Sequence, residues 1–327
     1  MSSTSSRDPT PTRSMLARLQ QGGVVLVLGL LALAVYWAVQ GHLAAAGWLA
    51  FVALTGHAWI LGLEIVAAAW HNRGDPVEPA SLRAALHAWW QESRIAPQVF
   101  AWRQPFRWRE FPDSTGPGAP GAAPAVLIHG FVCNRGFWLP WMERMRELGL
   151  PYVSVNLEPV FGSIDDYVPH VECAVQAAEA LGGGRPVLVC HSMGGLAARA
   201  WLAAQPGNRA RVGTIVTIGS PHHGTALASW SPFDNGQQMQ QGSAWLAELA
   251  LAEHQQAGEH AYQNFVCWYA NTDNIVFPAS TATLPGADNR HVGGAAHVDL
   301  AFHPRVMTES LAMLASAGNS PSERTDS

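Results

Sequence analysis

Residues 22–39, GGVVLVLGLLALAVYWAV, contain no charged side chain. As a helix rising about 1.5 Å per residue this run is about 27 Å long, close to the hydrocarbon thickness of a bilayer. After the break QGH at 40–42, a second apolar run extends from Leu43 to Trp70, long enough to cross back. A cleavable leader would be followed by a polar region, whereas two long apolar segments in tandem predict a transmembrane helical hairpin over 21–72, behind a disordered N-terminus over 1–20. Arg7, Arg13 and Arg18 precede the hairpin, Arg73 and Arg83 follow it, and its turn carries no Arg. By the positive-inside rule both ends, and whatever follows, are then expected in the cytoplasm. His57 and Glu64 are seven residues apart on one helical face. Either they meet each other, or Glu64 sits near the interface while His57 packs within the hairpin or a dimer; no further charge extends a proton path, so the second reading is adopted.

Residues 73–122 read as a connecting region. Pro79 to Ile95 predicts an amphipathic helix with Leu82, Leu86, Trp89 and Trp90 on its apolar side, FAWRQPFRWREFP one or two strands, and DSTGPGAPGAAP an exposed loop. From Ala123 to about 316, short apolar runs alternate with helical segments, the pattern of an α/β domain whose mostly parallel sheet is covered on both faces. The expected strands are 125–130, 152–157, 186–191, 214–219, 264–270 and one near Asn289 to Val292. Helices are expected over Trp138 to Leu148, Asp165 to Leu181, Gly194 to Gln205, Ser243 to Glu259, and from about Pro304. The tail 317–327 has the composition of a disordered end.

Charge narrows the chemistry. A net charge of -5 offers no concentrated positive surface for nucleic acid. All 19 basic residues are Arg, so a Schiff-base lysine, a phosphate-binding loop lysine and a Ser-Lys dyad are excluded. Cys133, Cys173, Cys190 and Cys267 show no paired metal-ligand spacing and read as reduced thiols.

The segment PVLVCHSMGGLAARAWL places His191-Ser192-Met193 between a buried strand and a helix opened by Gly194 and Gly195. That is the context of a nucleophile elbow, G-x-S-x-G, with Cys190 where the first glycine usually stands. A serine hydroxyl is a weak nucleophile near neutral pH, so it needs a base within hydrogen-bond reach and a carboxylate to hold that base. HGF, His129 to Phe131, follows the strand AVLI, and the N–H groups of Phe131 and Met193 are the expected oxyanion donors. Asp273 follows a buried strand, unlike its rivals Asp288 and Asp299, and is the expected acid. Of His291, His297 and His303, His297 is the expected base because it follows a Gly-Gly-Ala-Ala loop after the last strand.

VLIHGF, VCHSMGGLAAR, IGSPHHGT, NTDNIV and GGAAHVDLAFHP resemble bacterial lipases and esterases of the α/β-hydrolase superfamily, those related to triacylglycerol lipases, over about Ala123 to Leu314. The resemblance implies an α/β-hydrolase fold, Ser192 as nucleophile, Asp273 as acid, His297 as base, and Phe131 and Met193 as oxyanion donors. Cys190 and the hairpin depart from the family pattern and bear on substrate and location. Asp299 resembles a calcium ligand of some of these lipases, but no second acidic ligand is evident and no metal or other cofactor is expected. A cap is expected over about 222–260, with Trp230, Phe233, Met239 and Trp245 lining an acyl pocket or simply packing, and with Phe137, Trp138 and Trp141 forming its other wall. The expectation is a serine hydrolase anchored in the bacterial inner membrane that cleaves hydrophobic esters; a membrane-bound acyltransferase, an intracellular polyester depolymerase and an inactive anchored interaction protein are the alternatives.

Overall fold

The structure is a computed structural model and describes residues 13–317. The terminal segments expected to be disordered lie for the most part outside the described residues. Helix α1, Met15–Val39, begins earlier than expected: Ser14 caps it by accepting from the Ala17 N–H, and Leu16 and Ala17 are buried, so the six residues before position 21 are helical. Gly41, with a positive φ of 86°, turns the chain into helix α2, Leu43–His71, which returns along α1. These are two helices long and apolar enough to cross a membrane. Val25, Leu28, Val35, Trp48, Leu63 and Val66 stand exposed on their outer surface.

Helix α3, Leu82–Gln98, is capped by Ser81 and buries Ala88 and Glu92. Leu82, Leu86 and Trp90 form an exposed stripe on it, while the Trp89 indole donates to the Ala58 carbonyl of α2 at 2.7 Å. The strands expected next are not formed. Val99–Arg107 continues α3 as a π-helical segment, interrupted by Pro105 and held by α1, whose Gln21 side chain donates to the Pro105 carbonyl. Alternating aromatics suit a strand as well as a helix; here Trp102 and Phe106 share one exposed helical face four residues apart. Pro97 has no N–H, which removes the helical partner of the Ser93 carbonyl. His57 of α2 takes that acceptor at 3.1 Å, so His57 meets α3 and not Glu64.

The six strands form one parallel sheet in the order β2-β1-β3-β4-β5-β6, with β1 Ala125–Ile128, β2 Tyr152–Ser154, β3 Val187–His191, β4 Ile215–Ile218, β5 Phe265–Tyr269 and β6 Asp288–His291. The flanking helices are α4 Leu139–Glu147, α5 Val168–Leu181, α6 Met193–Ala204, α7 Asn208–Arg211, α8 Asp234–Gln238, α9 Ala244–Ala257, α10 His297–Phe302 and α11 Pro304–Ala317. Period-two alternation divides β1 and β3 between two cores. Leu127 and Val189 join the α4 and α11 side; Val126, Ile128, Leu188 and Cys190 join the α5 and α6 side. Cys190 therefore points into the packing beneath α6, away from the end of the strand. Strand order reverses between β1 and β3, so the loops leaving their carboxyl ends diverge and open a crevice there.

Candidate active site

Ser192 occupies the tip of the turn from β3 to α6 with φ 55° and ψ -130°, a backbone state that L side chains rarely adopt. The turn is held because the Ser192 N–H donates to the Ile218 carbonyl of the neighbouring strand and the Gly195 N–H to the Ser192 carbonyl. Glycine is required around it by close approach. A Cβ at Gly130 would meet the Ser192 Cβ at 2.6 Å, and one at Gly194 would run into the Ile128 carbonyl oxygen. Backbone cannot yield as a side chain tip can, so Gly194→Ala is expected to destabilise the fold by about 2–3 kcal/mol. Gly207→Ala, where nothing lies within 4 Å, is the control, and equal unfolding midpoints for the two would contradict this account.

The loop after β5 turns on Asp273, whose Oδ1 accepts from the N–H groups of Ile275 and Val276 at 2.8 Å each. Its carboxylate faces His297 Nδ1, with Oδ2 at 2.9 Å and Oδ1 at 3.0 Å. A Cβ at Gly219, after β4, would come within 3.0 Å of Asp273 Oδ2, so that glycine leaves the pair its space. Both side chains are nearly fully buried. Burial by itself would lower the imidazole, yet the charge and hydrogen bond of Asp273, with the carboxylates of Glu92 and Glu64, hold His297 above its ordinary value. The rivals fall elsewhere: Asp288 and His291 lie on the edge strand β6, and His303 follows α10.

His297 is the first residue of α10, a helix not expected from the sequence. Its N-cap residue is Ala296, which offers no capping side chain. Other elements supply the missing acceptors: Asn274 Oδ1 takes the His297 N–H at 3.1 Å, and the Glu92 carboxylate of α3 takes those of Val298 and Asp299 at 3.0 and 2.9 Å. Burial pushes the Glu92 carboxyl up to about 7 against the pull of these two donors. The His297 carbonyl accepts from His191 Nε2 at 3.1 Å. Burial keeps His191 neutral, and its ring stacks on Phe137 at 4.3 Å.

On the crevice's other wall, His129 Nδ1 donates to the Gly130 carbonyl at 2.9 Å while Nε2 accepts from the Leu157 N–H at 3.1 Å, which fixes the tautomer. Burial lowers this imidazole to about 4, so it stays neutral and ties the loop after β1 to the loop after β2. Further along that loop, Asn134 donates to the Gln104 carbonyl and to Ser14 Oγ at the start of α1. Arg135 is fully buried, pairing with Asp113 at 2.6 Å and bonding Ser154 Oγ and the Trp108 carbonyl. Phe131 leaves this loop half-buried, and Met193 is buried at the start of α6.

The expected pocket residues divide. Phe137, Trp138 and Trp141 are fully buried in the α4 core, so they pack the fold instead of walling a cleft; Trp141 donates to the Ala301 carbonyl of α10. Met239 is buried in the opposite core, and the Trp245 indole donates to the Asp165 carboxylate. Trp230 is 87% exposed. Only Phe233 approaches the site: it stacks on Phe161 at 4.3 Å, and Phe161 meets Phe131 at 5.9 Å. Phe161 was not anticipated, because it lies in a loop with no periodic signal. Within the expected cap, α9 packs on α6 through the buried Arg199–Glu253 pair at 2.6 Å, which leaves the stretch around Phe233 beside the crevice. The four cysteines are unpaired, and burial pushes the Cys190 thiol above its ordinary range. Asp299 heads into α10 beneath Glu92, and no group of three metal-ligating side chains occurs among the described residues.

A parallel sheet with helices on both faces, a strained serine turn after its third strand, and a buried contact between an Asp after its fifth strand and a His after its sixth define a hydrolase architecture. The chain belongs to the alpha/beta hydrolase family, whose profile matches residues 125–317. A sequence search of curated proteins finds no match. Among solved structures, it is similar to the mature Bacillus licheniformis lipase BlEst2, with TM-score 0.52 and 17% identity over 62% of this chain and 96% of that one. It is also similar to Aspergillus fumigatus lipase B, with TM-score 0.54 and 19% identity over 63% of this chain and 55% of that one. At these identities the likeness is one of fold.

Proposed function

We propose that this chain is a membrane-anchored serine hydrolase that cleaves hydrophobic carboxylic esters through an acyl-enzyme. The observation that carries this reading is the buried contact between Asp273 and His297 Nδ1, with the His297 ring 4.7 Å from that of His191, the neighbour of Ser192 on its strained turn. With Nδ1–H directed at the carboxylate, Nε2 is the free lone pair that accepts the Ser192 Oγ proton as the oxygen attacks the ester carbonyl. The negative charge that develops on the carbonyl oxygen is taken by the N–H groups of Phe131 and Met193. Collapse of the tetrahedral intermediate expels the alcohol, which leaves with the proton from His297. Water, deprotonated by the same imidazole, then releases the acid and restores Ser192.

Phe131, Phe161 and Phe233 form the apolar wall for the acyl or alcohol chain. The bilayer is the proposed setting because the outer surface of α1 and α2 and the stripe Leu82, Leu86 and Trp90 of α3 are apolar and uncovered. Arg13, Arg18, Arg73 and Arg83 at the open end of the hairpin, with no Arg in its turn, support the reading that this end and the catalytic domain face the cytoplasm.

The test uses the full chain in detergent micelles. A fluorophosphonate should label Ser192 and continue to label the Ser163→Ala variant, and nitrophenyl palmitate should be cleaved with a higher kcat/KM than the butyrate. No labelling of folded protein would overturn the serine hydrolase, and equal rates on the two esters would remove the hydrophobic preference. His297 must be neutral to act as base, and it is held above 6.5. The acid limb of kcat/KM is therefore expected with its midpoint above 6.5, activity falling as pH drops through it. A midpoint at or below that value would contradict the role given to the surrounding carboxylates.

A further inference from the structure

The hairpin is joined to the site by more than a linker. Glu64 of α2 accepts from Asn274 Nδ2 at 2.7 Å, and Asn274 Oδ1 accepts from the His297 N–H at 3.1 Å. Glu92 of α3, only 1% exposed, takes the next two N–H groups of α10, and the Leu300 N–H closes the first helical bond onto the Ala296 carbonyl. All four N-terminal donors of the helix that begins with His297 are thus satisfied, three of them through side chains outside the helix and its loop or hydrogen-bonded to Glu64. Apolar contact reinforces this: Ile65 of α2, Ala88 of α3 and Ala296 pack as one buried cluster. Trp89 and His57 bond α3 to α2 in turn. At the other side of the crevice, Ser14 at the head of α1 receives the Asn134 amide from the loop that carries Phe131.

We propose that Glu64 and Glu92 are positioning residues for His297, so that the apolar hairpin and the helix after it form part of the catalytic apparatus. The proposal rests on His297 acting as the base for Ser192. Each carboxylate acts through α10 and not on substrate: Glu64 orients Asn274, which holds the His297 backbone, and Glu92 fixes the pitch of the first helical turn. They and His191 on the carbonyl fix the backbone from which the imidazole projects, while Asp273 holds the ring itself. A displacement near 1 Å at a reacting group costs about 10²-fold in rate, so loose anchoring here should be visible in kcat. Charge adds a second signature. The groups facing His297 are Asp273 from the loop after β5, Glu64 from α2, Glu92 from α3 and neutral His191 from β3. Asp299 on its own helix lies near Glu92 and His87. Removing the Glu64 charge withdraws support for the imidazolium and should move the acid limb to lower pH.

The experiment measures kcat, KM and the pH profile of fluorophosphonate labelling for the full-length protein in micelles. Glu64→Leu and Glu92→Gln are expected to lower kcat at least about tenfold with little change in KM. In the second, the amide offers one acceptor where two N–H groups need one each. Glu64→Gln keeps an acceptor for Asn274 and should restore most of kcat, while its acid limb still moves to lower pH. Wild-type kcat and an unmoved limb in all three variants would overturn the proposal. If Glu64→Leu does not fold, Glu64→Gln decides, and an unmoved limb in that variant overturns the part given to Glu64. A wild-type protein that is not labelled at all would overturn the serine hydrolase itself, and this inference with it; labelled wild type with indifferent glutamate variants would sink only the inference.

Discussion

Ser192→Ala is expected to lower ester hydrolysis by about 10⁴–10⁶-fold and to abolish fluorophosphonate labelling, with the fold intact. The size of the effect follows from what remains. In the proposed mechanism no acyl-enzyme forms without the hydroxyl, and only the proposed oxyanion donors and apolar wall act on the substrate. The fold should survive because the strain at this position lies in the backbone, at φ 55°, and alanine has the same Cβ that already lies against Gly130. The unfolding midpoint should change by no more than about 1 kcal/mol equivalent. Labelling that persists in this variant would mean that another nucleophile carries the reaction. Cys190 is a poor candidate for that part, since its thiol is fully buried under α6 and held in the protonated form.

Asp273→Asn is expected to reduce kcat by about 10⁴-fold with KM nearly unchanged, a loss that comes from tautomer choice and not from geometry. Oδ1 accepts from Ile275 and Val276, so an asparagine keeps that turn only by placing its carbonyl there. Its NH₂ then faces His297 Nδ1, which must become an acceptor and leave the proton on Nε2. An imidazole in that state cannot take the proton of Ser192. Recovery with rising pH is not expected, because the defect is the position of a proton and not its affinity. An Asp273→Asn enzyme within about tenfold of wild type would show that the carboxylate does not orient the base.

How much of this could be read in the chain depended on the range of each signal. β1 to β5 announced themselves because a strand buried on both faces must be continuously apolar, and Val187 to Cys190 has no other use for such a run. Asp273 and His297 were named from their order along the chain, and the fold brings them to 2.9 Å. By contrast, Val99–Arg107 carried aromatics at alternating positions that suit a strand as well as a wide helix; Pro97, Pro105 and the cover of α1 decided between them. Phe137, Trp138 and Trp141 looked like a cleft wall because large aromatics suit either a pocket or a core, and only the packing of α4 against the sheet assigns them to the core. The short α10 had no periodicity to detect, and its cap lies about two hundred residues away in α3, where no local rule would seek it.

What the chain determined alone was therefore whatever a few neighbouring residues dictate: two long apolar helices, a sheet covered on both faces, a serine on a turn crowded by glycine. Tertiary structure decided which distant groups meet. Glu64 reads as a carboxylate near a membrane interface, and Glu92 lies in a helix that reads only as amphipathic. Both are hydrogen-bonded into the surroundings of His297 because buried N–H groups must find acceptors, and the fold delivers those acceptors from the hairpin and the helix that follows it.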